Sequence, residues 1–298
     1  MHARRFGGGV CADALRQARD GIQRLIRIAI QGEPGSFSHQ AAIHLMEDAR
    51  IVPCSLSAEV FRALSLGEVD AAVIPIENSL AGSVSEHFDL MLKHGVMIER
   101  ETLLRIRHNL IGISGATIDG IDRVFSHPVA LAQCRRFLAD HPRMESFAFY
   151  DTAGSVKQLV EMKDRHAGAI ASEAAARHYG AQVLAADIED NPENFTRFFL
   201  LRRSGEVQRN EQANKLSLAF SVENRPGTLV AALQELAQEG TNLTKIESRP
   251  VHGRPWEYVF YVDCQIHTPE AAARALAALE PHCAMVKELG RYQEAERG

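Results

Sequence analysis

Short apolar runs alternate with helix-forming segments between residues 27 and 200, and this alternation constrains the fold more than any other feature of the sequence. The runs at 27–31, 70–75 and 168–171 have the length and composition of strands, and a helical pattern follows each of them. Repeated strand–helix units predict a doubly wound α/β region. Polar turns follow the strand ends, where such sheets bind their ligands.

The pattern changes at Asn214, where a second and smaller unit is predicted. Leu216, Leu218 and Phe220 alternate with polar or small residues, as in a strand with one buried face. The segments that follow are a helix at 228–239, strands at 242–248 and 257–265, a helix at 269–279 and a strand at 282–289. This order predicts an α+β, ferredoxin-like βαββαβ unit.

Composition argues against several classes of function. The 298-residue chain carries a net charge of −5 and has no basic run with interleaved aromatic residues, so nucleic acid is not an expected partner. No apolar run reaches about 18 residues, so no membrane span is expected. Five unpatterned cysteines favour reduced thiols in a cytoplasmic protein without a metal site. Without a dinucleotide or phosphate-binding glycine motif, no nucleotide cofactor is expected.

Several polar residues stand at the predicted strand ends. Asn78 follows the strand that closes at residue 75. Ser126 breaks the strand predicted at 122–125, and Gln133 lies on the helix after it. Thr196 stands where an acidic, turn-rich connection becomes an apolar strand. Ser36 caps a helix that begins after a Pro/Gly turn, and the free N–H groups of such a terminus suit a carboxylate or, equally, a phosphate.

A polar run interrupts the strand pattern of residues 96–113, which is long enough for one or two strands. Its members are Arg105, Arg107 and His108. We expect these side chains on a solvated sheet face.

Several of these segments resemble the motifs of prephenate dehydratases. They are residues 32–42, Pro75-Ile76-Glu77-Asn78-Ser79, Ser126-His127-Pro128 with Gln133-Cys134, and Thr196-Arg197-Phe198. The C-terminal unit resembles the ACT regulatory domain of those enzymes, because Glu247-Ser248-Arg249-Pro250 matches their phenylalanine-site motif without change. Residues 226–230 stand where the family has Gly-Ala-Leu-Val, with Thr228 in place of the usual Ala.

The resemblance covers roughly residues 27–290 and implies the domain organisation. A catalytic region at 27–203 would have two α/β lobes, similar to type 2 periplasmic binding proteins, with the active site in the cleft. The lobes would comprise residues 27–76 with 186–203, and residues 77–185. We expect an N-terminal extension at 1–26, a linker at 204–213, the ACT domain at 214–290 and a tail at 291–298.

The resemblance also implies the site residues. The catalytic residues would be Thr196, Asn78, Ser126 and Gln133. The substrate-binding residues would be Glu77, Ser79, Ser36, Phe37, Ser38, Thr152, Ala153, Arg197 and Phe198. The phenylalanine-binding residues would be Asn224, Pro226, Gly227, Thr228, Leu229, Val230, Asn242, Glu247, Ser248, Arg249 and Pro250. For Arg197 a second role stays open, an ion pair with Glu193 or with an aspartate of the acidic connection.

The implied activity is the decarboxylative dehydration of prephenate to phenylpyruvate in phenylalanine biosynthesis, with phenylalanine as effector and no cofactor or metal. A homodimer or homotetramer through the ACT domain is expected. Two alternatives remain open at this point. Arogenate dehydratase would act on a substrate that differs by an amino group, and a solute-binding or sensor protein would use the same two-lobed cleft without catalysis.

Overall fold

The structure is a computed structural model that describes residues 25–207, 210–251 and 256–296. The predicted N-terminal extension, residues 1–26, therefore lies outside the described residues except for its last two. The predicted tail, residues 291–298, is described as far as residue 296.

The first lobe is built on a mixed sheet in the order β2-β1-β3-β11-β5, with the short strand β4 paired to β3. Its elements are β1 (Arg27–Gln31), α1 (Phe37–Leu45), β2 (Arg50–Cys54), α2 (Ser57–Ser65), β3 (Ala71–Asn78), β4 (Gly82–Ser83), α3 (Ser85–His94), β5 (Val96–Arg105) and β11 (Phe195–Arg203). Strands β1, β2 and β3 are parallel, whereas β11 is antiparallel to both of its neighbours. The long strand β11 thus returns the chain to the interior of this sheet, between β3 and the edge strand β5.

The second lobe is built on a five-stranded sheet in the order β10-β6-β9-β7-β8. Its elements are β6 (Asn109–Gly112), β7 (Arg123–Ser126), α4 (Pro128–Ala132), α5 (Arg135–Asp140), β8 (Glu145–Ala148), α6 (Thr152–Met162), β9 (Ala167–Ala171), α7 (Glu173–Tyr179) and β10 (Gln182–Ala185). Strand β9 is buried at all five residues, as expected of a central strand covered on both faces.

The lobe boundary predicted at residue 77 is wrong. The segment predicted as one or two strands divides into β5 and β6, which belong to different sheets, because β5 pairs along its length with β11. Residues 77–105 therefore belong to the first lobe. The chain crosses between the lobes at residues 106–108 and 186–194, and the two crossings bond to each other through Ile106 N to Asn194 O at 2.7 Å and Ile188 N to His108 O at 2.8 Å.

The C-terminal unit has the predicted βαββαβ order. Its elements are β12 (Lys215–Ser221), α8 (Thr228–Gln238), β13 (Asn242–Pro250), β14 (Tyr258–Gln265), α9 (Pro269–Leu279) and β15 (Met285–Tyr292), with the strands ordered β13-β14-β12-β15. The last strand extends two residues beyond the predicted domain boundary at residue 290. Its last residue, Tyr292, pairs with Lys215 of β12 and is fully buried. One core, which includes Leu218, Leu236 and Val262, joins this sheet to its two helices.

The other face of the C-terminal sheet packs against the first lobe. Tyr261 and Leu289 share a core with Phe88, Ile98 and Phe199 of the catalytic region. Burial of this apolar surface on both sides removes it from water, so the unit is joined to the first lobe by a continuous hydrophobic core.

Candidate active site

Asn78 and Thr196 lie opposite each other on adjacent strands. Asn78 is the last residue of β3, and Thr196 stands at the start of β11, which directly follows the crossing at residues 186–194. The Nδ2 amide of Asn78 lies 3.0 Å from Thr196 Oγ1, 2.7 Å from Asn194 Oδ1 and 3.1 Å from the Phe195 carbonyl. Thr196 Oγ1 is therefore an acceptor of an amide hydrogen. Among the described residues the hydroxyl is found only as an acceptor, so its own hydrogen can be donated to a bound ligand.

The orientation of the Asn78 side chain is fixed by the turn that follows it. The backbone N–H groups of Leu80 and Ala81 donate to Asn78 Oδ1 at 3.0 and 2.8 Å. An inverted amide would place N–H groups against N–H groups, so the amide nitrogen must face Thr196. This turn is the polar segment after Pro75 from which a ligand group was predicted.

Gln133 joins the network from the second lobe, at the C-terminal cap of α4. Its Nε2 amide lies 3.4 Å from Asn78 Oδ1, and its Oε1 oxygen accepts from Asn194 Nδ2 at 2.9 Å. Side chains far apart in the sequence, namely Asn78, Gln133 and Thr196, are thus brought together between the lobes. Asn194 is a further member that the sequence interpretation did not include.

His108 is the second missed member, and the expectation of a solvated face is wrong for it. The residue is 2% exposed, and its Nε2 atom lies 2.9 Å from Gln133 Oε1. Burial lowers the pKa of His108, opposed by the bond to Gln133, so the ring is neutral at neutral pH. Its Nδ1 atom is buried and has no hydrogen-bond partner among the described residues.

Ser126 lies outside this network. The side chain is fully buried at the end of β7, and its hydroxyl donates to the Ile170 carbonyl at 2.5 Å. Because that bond uses the only hydroxyl hydrogen, the expected role of Ser126 as a donor to the substrate is wrong for this arrangement. The residue instead ties β7 to β9 beneath the site.

Two helix N-termini from different lobes lie close together where carboxylate binding was predicted. A Cβ atom on Gly32, before α1, would lie 2.7 Å from Asp151 Oδ2 at the start of α6. Ser36 caps α1 by accepting from His39 N at 3.3 Å, and Phe37 packs edge-on against the His108 ring at 5.7 Å between centroids. Asp151 caps α6, the helix that begins at Thr152 and Ala153, by accepting from Gly154 N at 2.7 Å. Ser36 and its neighbour Ser38 are buried.

The turn before α1 is held closely against the second lobe. Ser172 Oγ donates to the Gly35 carbonyl at 2.7 Å, and Lys157 pairs with Glu33 at 3.1 Å. A Cβ atom on Gly35 would lie 2.6 Å from Ala175 Cα, so only glycine allows this approach. The lobes are therefore in contact along this edge of the cleft.

Four predicted substrate contacts are placed elsewhere. The Arg197 side chain points away from the cleft and bonds to Glu101 and Asp263, which contradicts both roles considered for it. Glu77 pairs with Lys245 of the C-terminal unit. The remaining two serve structural roles. Phe198 is 1% exposed in the core, and Ser79 holds the turn after β3 to the second crossing and the start of β11, by donating to Glu193 O and accepting from Phe195 N. Strand alternation explains the opposite directions of Thr196 and Arg197.

The predicted effector residues form two groups in the C-terminal unit. The first group lies at the turn into α8, where Gly227 adopts a φ of 88° and the Thr228 hydroxyl bonds to the carbonyls of Glu223 and Arg225. The second group lies on the edge strand β13. The exposed members of both groups are Asn224, Pro226, Gly227, Val230, Asn242, Ser248 and Pro250, and the half-buried members are Thr228, Leu229, Glu247 and Arg249.

Two members of the second group contact the catalytic region. Ser85 Oγ donates to Glu247 Oε1 at 3.1 Å, and Arg249 pairs with Asp89 at 2.8 Å. Both partners belong to helix α3, which follows the turn that contains Asn78. The predicted effector strand is therefore connected to the catalytic lobe by polar contacts.

Within residues 25–207, 210–251 and 256–296, no group of three or more His, Cys, Asp or Glu side chains is arranged to hold a metal ion. None of the helices in these ranges combines the length and the apolar character that a membrane crossing needs.

Comparison with known proteins identifies both regions. The sequence matches the prephenate dehydratase family over residues 28–206 and the ACT domain family over residues 216–281. Arogenate dehydratase/prephenate dehydratase 2 of Arabidopsis thaliana, a chloroplastic protein, is 39% identical over 277 residues, which cover 90% of this chain and 72% of the relative.

Solved structures give the same result for the fold. A prephenate dehydratase from Arthrobacter aurescens in complex with L-Phe has a TM-score of 0.82 and 32% identity, with 90% of each chain covered. GqqA, described as a novel type of quorum quenching acylase, has the same TM-score and identity and covers 90% of this chain and 97% of its own. The predicted fold class, a two-lobed α/β region with an ACT domain, is confirmed. The chain belongs to the prephenate dehydratase family.

Proposed function

We propose that this lyase converts prephenate to phenylpyruvate with Thr196 as the hydrogen-bond donor to the departing hydroxyl. The observation that carries this proposal is the position of Thr196 Oγ1. It accepts a hydrogen from Asn78 in a network that also contains Gln133, Asn194 and His108. The hydroxyl hydrogen is thereby left for the substrate.

The chemistry of the reaction explains why a donor is needed at this point. The bond between the ring and its carboxylate breaks to release CO₂, and its electron pair completes the aromatic ring. The carbon–oxygen bond breaks at the same time. The departing oxygen keeps the bonding electron pair and becomes water by taking a proton from the solvent. Because threonine is a very weak acid, Thr196 acts through a hydrogen bond that strengthens as charge grows on the departing oxygen.

The groups around Thr196 are neutral. Asn78, Asn194 and Gln133 carry amides, and burial keeps His108 uncharged. A fixed cation that held the departing carboxylate tightly would oppose decarboxylation. The direction of Arg197, which points towards the ACT unit, keeps the nearest guanidinium on the strand away from this position.

Carboxylate binding is proposed at the helix termini on either side of the cleft. The first turn of a helix leaves backbone N–H groups without helical partners, and the positive end of its dipole favours an anion. At α6 the Asp151 carboxylate already accepts from Gly154 N at 2.7 Å, so α1 offers the freer N–H groups. Ser36, Phe37, Ser38, Thr152 and Ala153 keep their predicted substrate-binding role on this ground.

Arogenate dehydratase remains the second candidate, because the Arabidopsis relative carries both activities in its name. The deciding experiment incubates the purified protein with prephenate and arogenate side by side and follows phenylpyruvate and phenylalanine formation. The proposal expects the higher kcat/KM with prephenate. A higher kcat/KM with arogenate would assign the arogenate dehydratase activity. If neither substrate were converted, both proposed activities would be excluded.

Because the similar structure GqqA is described as an acylase, acyl transfer by Thr196 is the mechanism to compare with dehydration. A threonine nucleophile needs a base beside its hydroxyl to take the proton. In the part of the chain that the structure describes, the hydrogen-bond partner found for Thr196 Oγ1 is a donating amide. The surroundings of Thr196 therefore suit a hydrogen-bond donor better than an acyl-transfer nucleophile.

Phenylalanine is the proposed effector, at the turn before α8 and the strand β13. The ACT match supports this proposal, as does the similar structure that holds L-Phe. A homodimer or homotetramer through the ACT unit and a cytoplasmic location are proposed with it. Calorimetry with phenylalanine tests binding, kinetics with added phenylalanine test inhibition, and light scattering tests assembly. Absence of both binding and inhibition would leave the ACT unit a structural role.

A further inference from the structure

The catalytic strands β3 and β11 present a matched pair of residues on each face. Asn78 is opposite Thr196 on the face towards the cleft, and Glu77 is opposite Arg197 on the face towards the ACT unit. Successive side chains of a strand point to opposite faces, so each catalytic residue is one peptide bond from a charged residue facing away. The ACT unit binds both of these charged residues.

Arg197 is held by side chains from the catalytic sheet and from the ACT sheet. Its guanidinium donates to Glu101 at 2.6 Å, to Asp263 at 2.5 Å and to the Tyr292 hydroxyl at 2.9 Å. The side chain is 10% exposed, and the two carboxylates are less exposed still. A buried guanidinium with this set of partners has one well-defined position.

Further contacts close this group of residues. Lys215 pairs with Glu101 at 3.0 Å, and Ser217 Oγ donates to Asp263 at 2.5 Å. Burial raises the pKa of the Tyr292 hydroxyl well above its usual range, against the effect of Arg197, so the hydroxyl stays neutral. The most buried members of this group are two cations, Arg197 and Lys215, and two carboxylates, Glu101 and Asp263. Glu294 also contacts Lys215 at 3.2 Å, from the more exposed side. Loss of one partner would leave a buried charge without compensation, which favours rearrangement of the strands that carry it.

Lys245 makes the equivalent contact on the other catalytic strand. Its ammonium group lies 3.0 Å from Glu77, 2.8 Å from the Ser83 hydroxyl and 3.4 Å from Glu247. Glu77 precedes Asn78, and Ser83 lies on β4, which pairs with β3 around the Asn78 turn. Lys245 thus connects the strand of the predicted effector motif to the turn that orients the catalytic amide.

We infer that Lys245 and Asp263 of the ACT unit are positioning residues for the reaction, acting through Glu77 on Asn78 and through Arg197 on Thr196. This inference rests on the proposed function of the Asn78–Thr196 pair. A displacement of a catalytic group by about 1 Å can cost a factor of 10² in rate. Contacts that hold β3 and β11 on the face opposite the cleft therefore affect turnover. The ACT unit is therefore part of the scaffold of the active site, in addition to its role in binding an effector.

The first experiment compares two lysines of the same interface. Lys245→Met keeps the length of the side chain and removes the ammonium group, and Lys245→Arg keeps a cation. The matched control is Lys287→Met, because Lys287 donates across the same interface to the Leu92 carbonyl at 2.9 Å, which lies on α3 and not on the catalytic strands β3 and β11. We expect Lys245→Met to lower kcat about tenfold with little change in KM. Lys245→Arg restores kcat, and Lys287→Met leaves it within about twofold.

A double-mutant cycle tests the route through Glu77. If Lys245 acts through this carboxylate, Lys245→Met lowers kcat by less than about twofold in a Glu77→Gln background, because the contact is already lost. An equal loss in both backgrounds would show that the residues act independently and would overturn the inference.

A measurement without substrate separates this inference from the proposed function. Hydrogen exchange is followed in peptides that contain residues 76–79 and 195–198. Asp263→Asn and Lys245→Met are expected to speed exchange there, whereas Lys287→Met is not. Unchanged exchange with unchanged kcat in the Lys245 and Asp263 variants would overturn the positioning role. Faster exchange in an enzyme that turns over neither substrate would retain the positioning role and remove the proposed activity.

Discussion

His108 Nε2 lies 2.9 Å from Gln133 Oε1, and this contact determines which end of the Gln133 amide faces Asn78. The oxygen receives hydrogens from His108 and from Asn194, so the Nε2 amide must point towards Asn78 Oδ1. The neutral tautomer with hydrogen on Nε2 satisfies this arrangement. His108 therefore orients an amide that reaches the site from the other lobe.

Replacement of His108 is expected to separate this role from simple packing. His108→Leu removes the donor and leaves Gln133 Oε1 with one partner fewer, so kcat should fall about tenfold. His108→Gln can place an amide nitrogen where Nε2 was and should recover most of the loss. Steady-state kinetics and thermal unfolding of both variants test this. Equal losses in the two variants would indicate that packing, not the hydrogen bond, is what matters.

The pH dependence of turnover is expected to contain a limb from His108. Burial lowers the pKa of His108 below its ordinary value of about 6.5, so the neutral ring required by the network persists until the pH falls below that value. Protonation would then add a hydrogen at Nδ1, which has no acceptor among the described residues. The pH profile of kcat/KM should show an acidic limb that is absent or shifted in His108→Gln. The same limb in the variant would assign it to another group.

The lowered pKa of His108 also makes the stability of the folded protein depend on pH. The unfolded chain takes up this proton near pH 6.5, and the folded chain only at lower pH, so unfolding is favoured as the pH falls below about 6.5. The contribution is absent above that pH, where both states are neutral.

Thr196→Val is expected to remove most turnover while the fold is retained. Valine has the shape of threonine without its hydroxyl, and loss of one such donor typically costs roughly 10² to 10³ in rate. Thr196→Ser keeps the hydroxyl and should retain more activity than Thr196→Val. The measurements are kcat for prephenate and circular dichroism of each variant. A wild-type kcat in Thr196→Val would exclude the residue from the mechanism.

The sequence predicted the elements and the polar strand ends that meet in the cleft. Asn78 and Thr196 were identifiable because each stands where an apolar strand meets a polar turn. A charged residue stands next to each of them, Glu77 beside Asn78 and Arg197 beside Thr196. Because side chains alternate along a strand, the sequence alone was enough to predict that Arg197 points away from Thr196. Its partner Asp263 could not be predicted, because Asp263 belongs to the ACT unit. Local hydrophobic periodicity does not show which surface of the catalytic region that unit packs against.

His108 was misplaced for a related reason. The polar residues around it suggested exposure, but residues 106–108 form a crossing between the lobes, where a polar side chain is enclosed by both. The lobe boundary failed in the same region, since local alternation does not reveal that β5 and β6 enter different sheets. Long-range pairing decides both cases.

Gly35→Ala is expected to disturb the approach of the lobes. The substitution adds backbone strain at a φ of 86° and a contact 2.6 Å from Ala175 Cα. Gly95→Ala is the matched control, because its φ is 60° but no atom lies within 4 Å of the added carbon. Kinetics of both variants should show a loss in kcat/KM of about tenfold for Gly35→Ala and much less for Gly95→Ala. Similar losses would indicate that backbone strain alone is responsible.

Asp89→Asn is expected to strengthen the response to phenylalanine. In this structure Arg249 of the predicted effector motif pairs with Asp89 at 2.8 Å, and both side chains are partly exposed. A pair of this kind is worth about 0.2–1 kcal/mol, so its loss should cost the fold little. If the effector carboxylate needs Arg249, releasing that side chain should lower the concentration for half-inhibition by about 1.4-fold to fivefold. Calorimetry should show the same change in Kd, with kcat in the absence of effector close to wild type. A weaker or unchanged response would show that Arg249 does not bind the effector from this position.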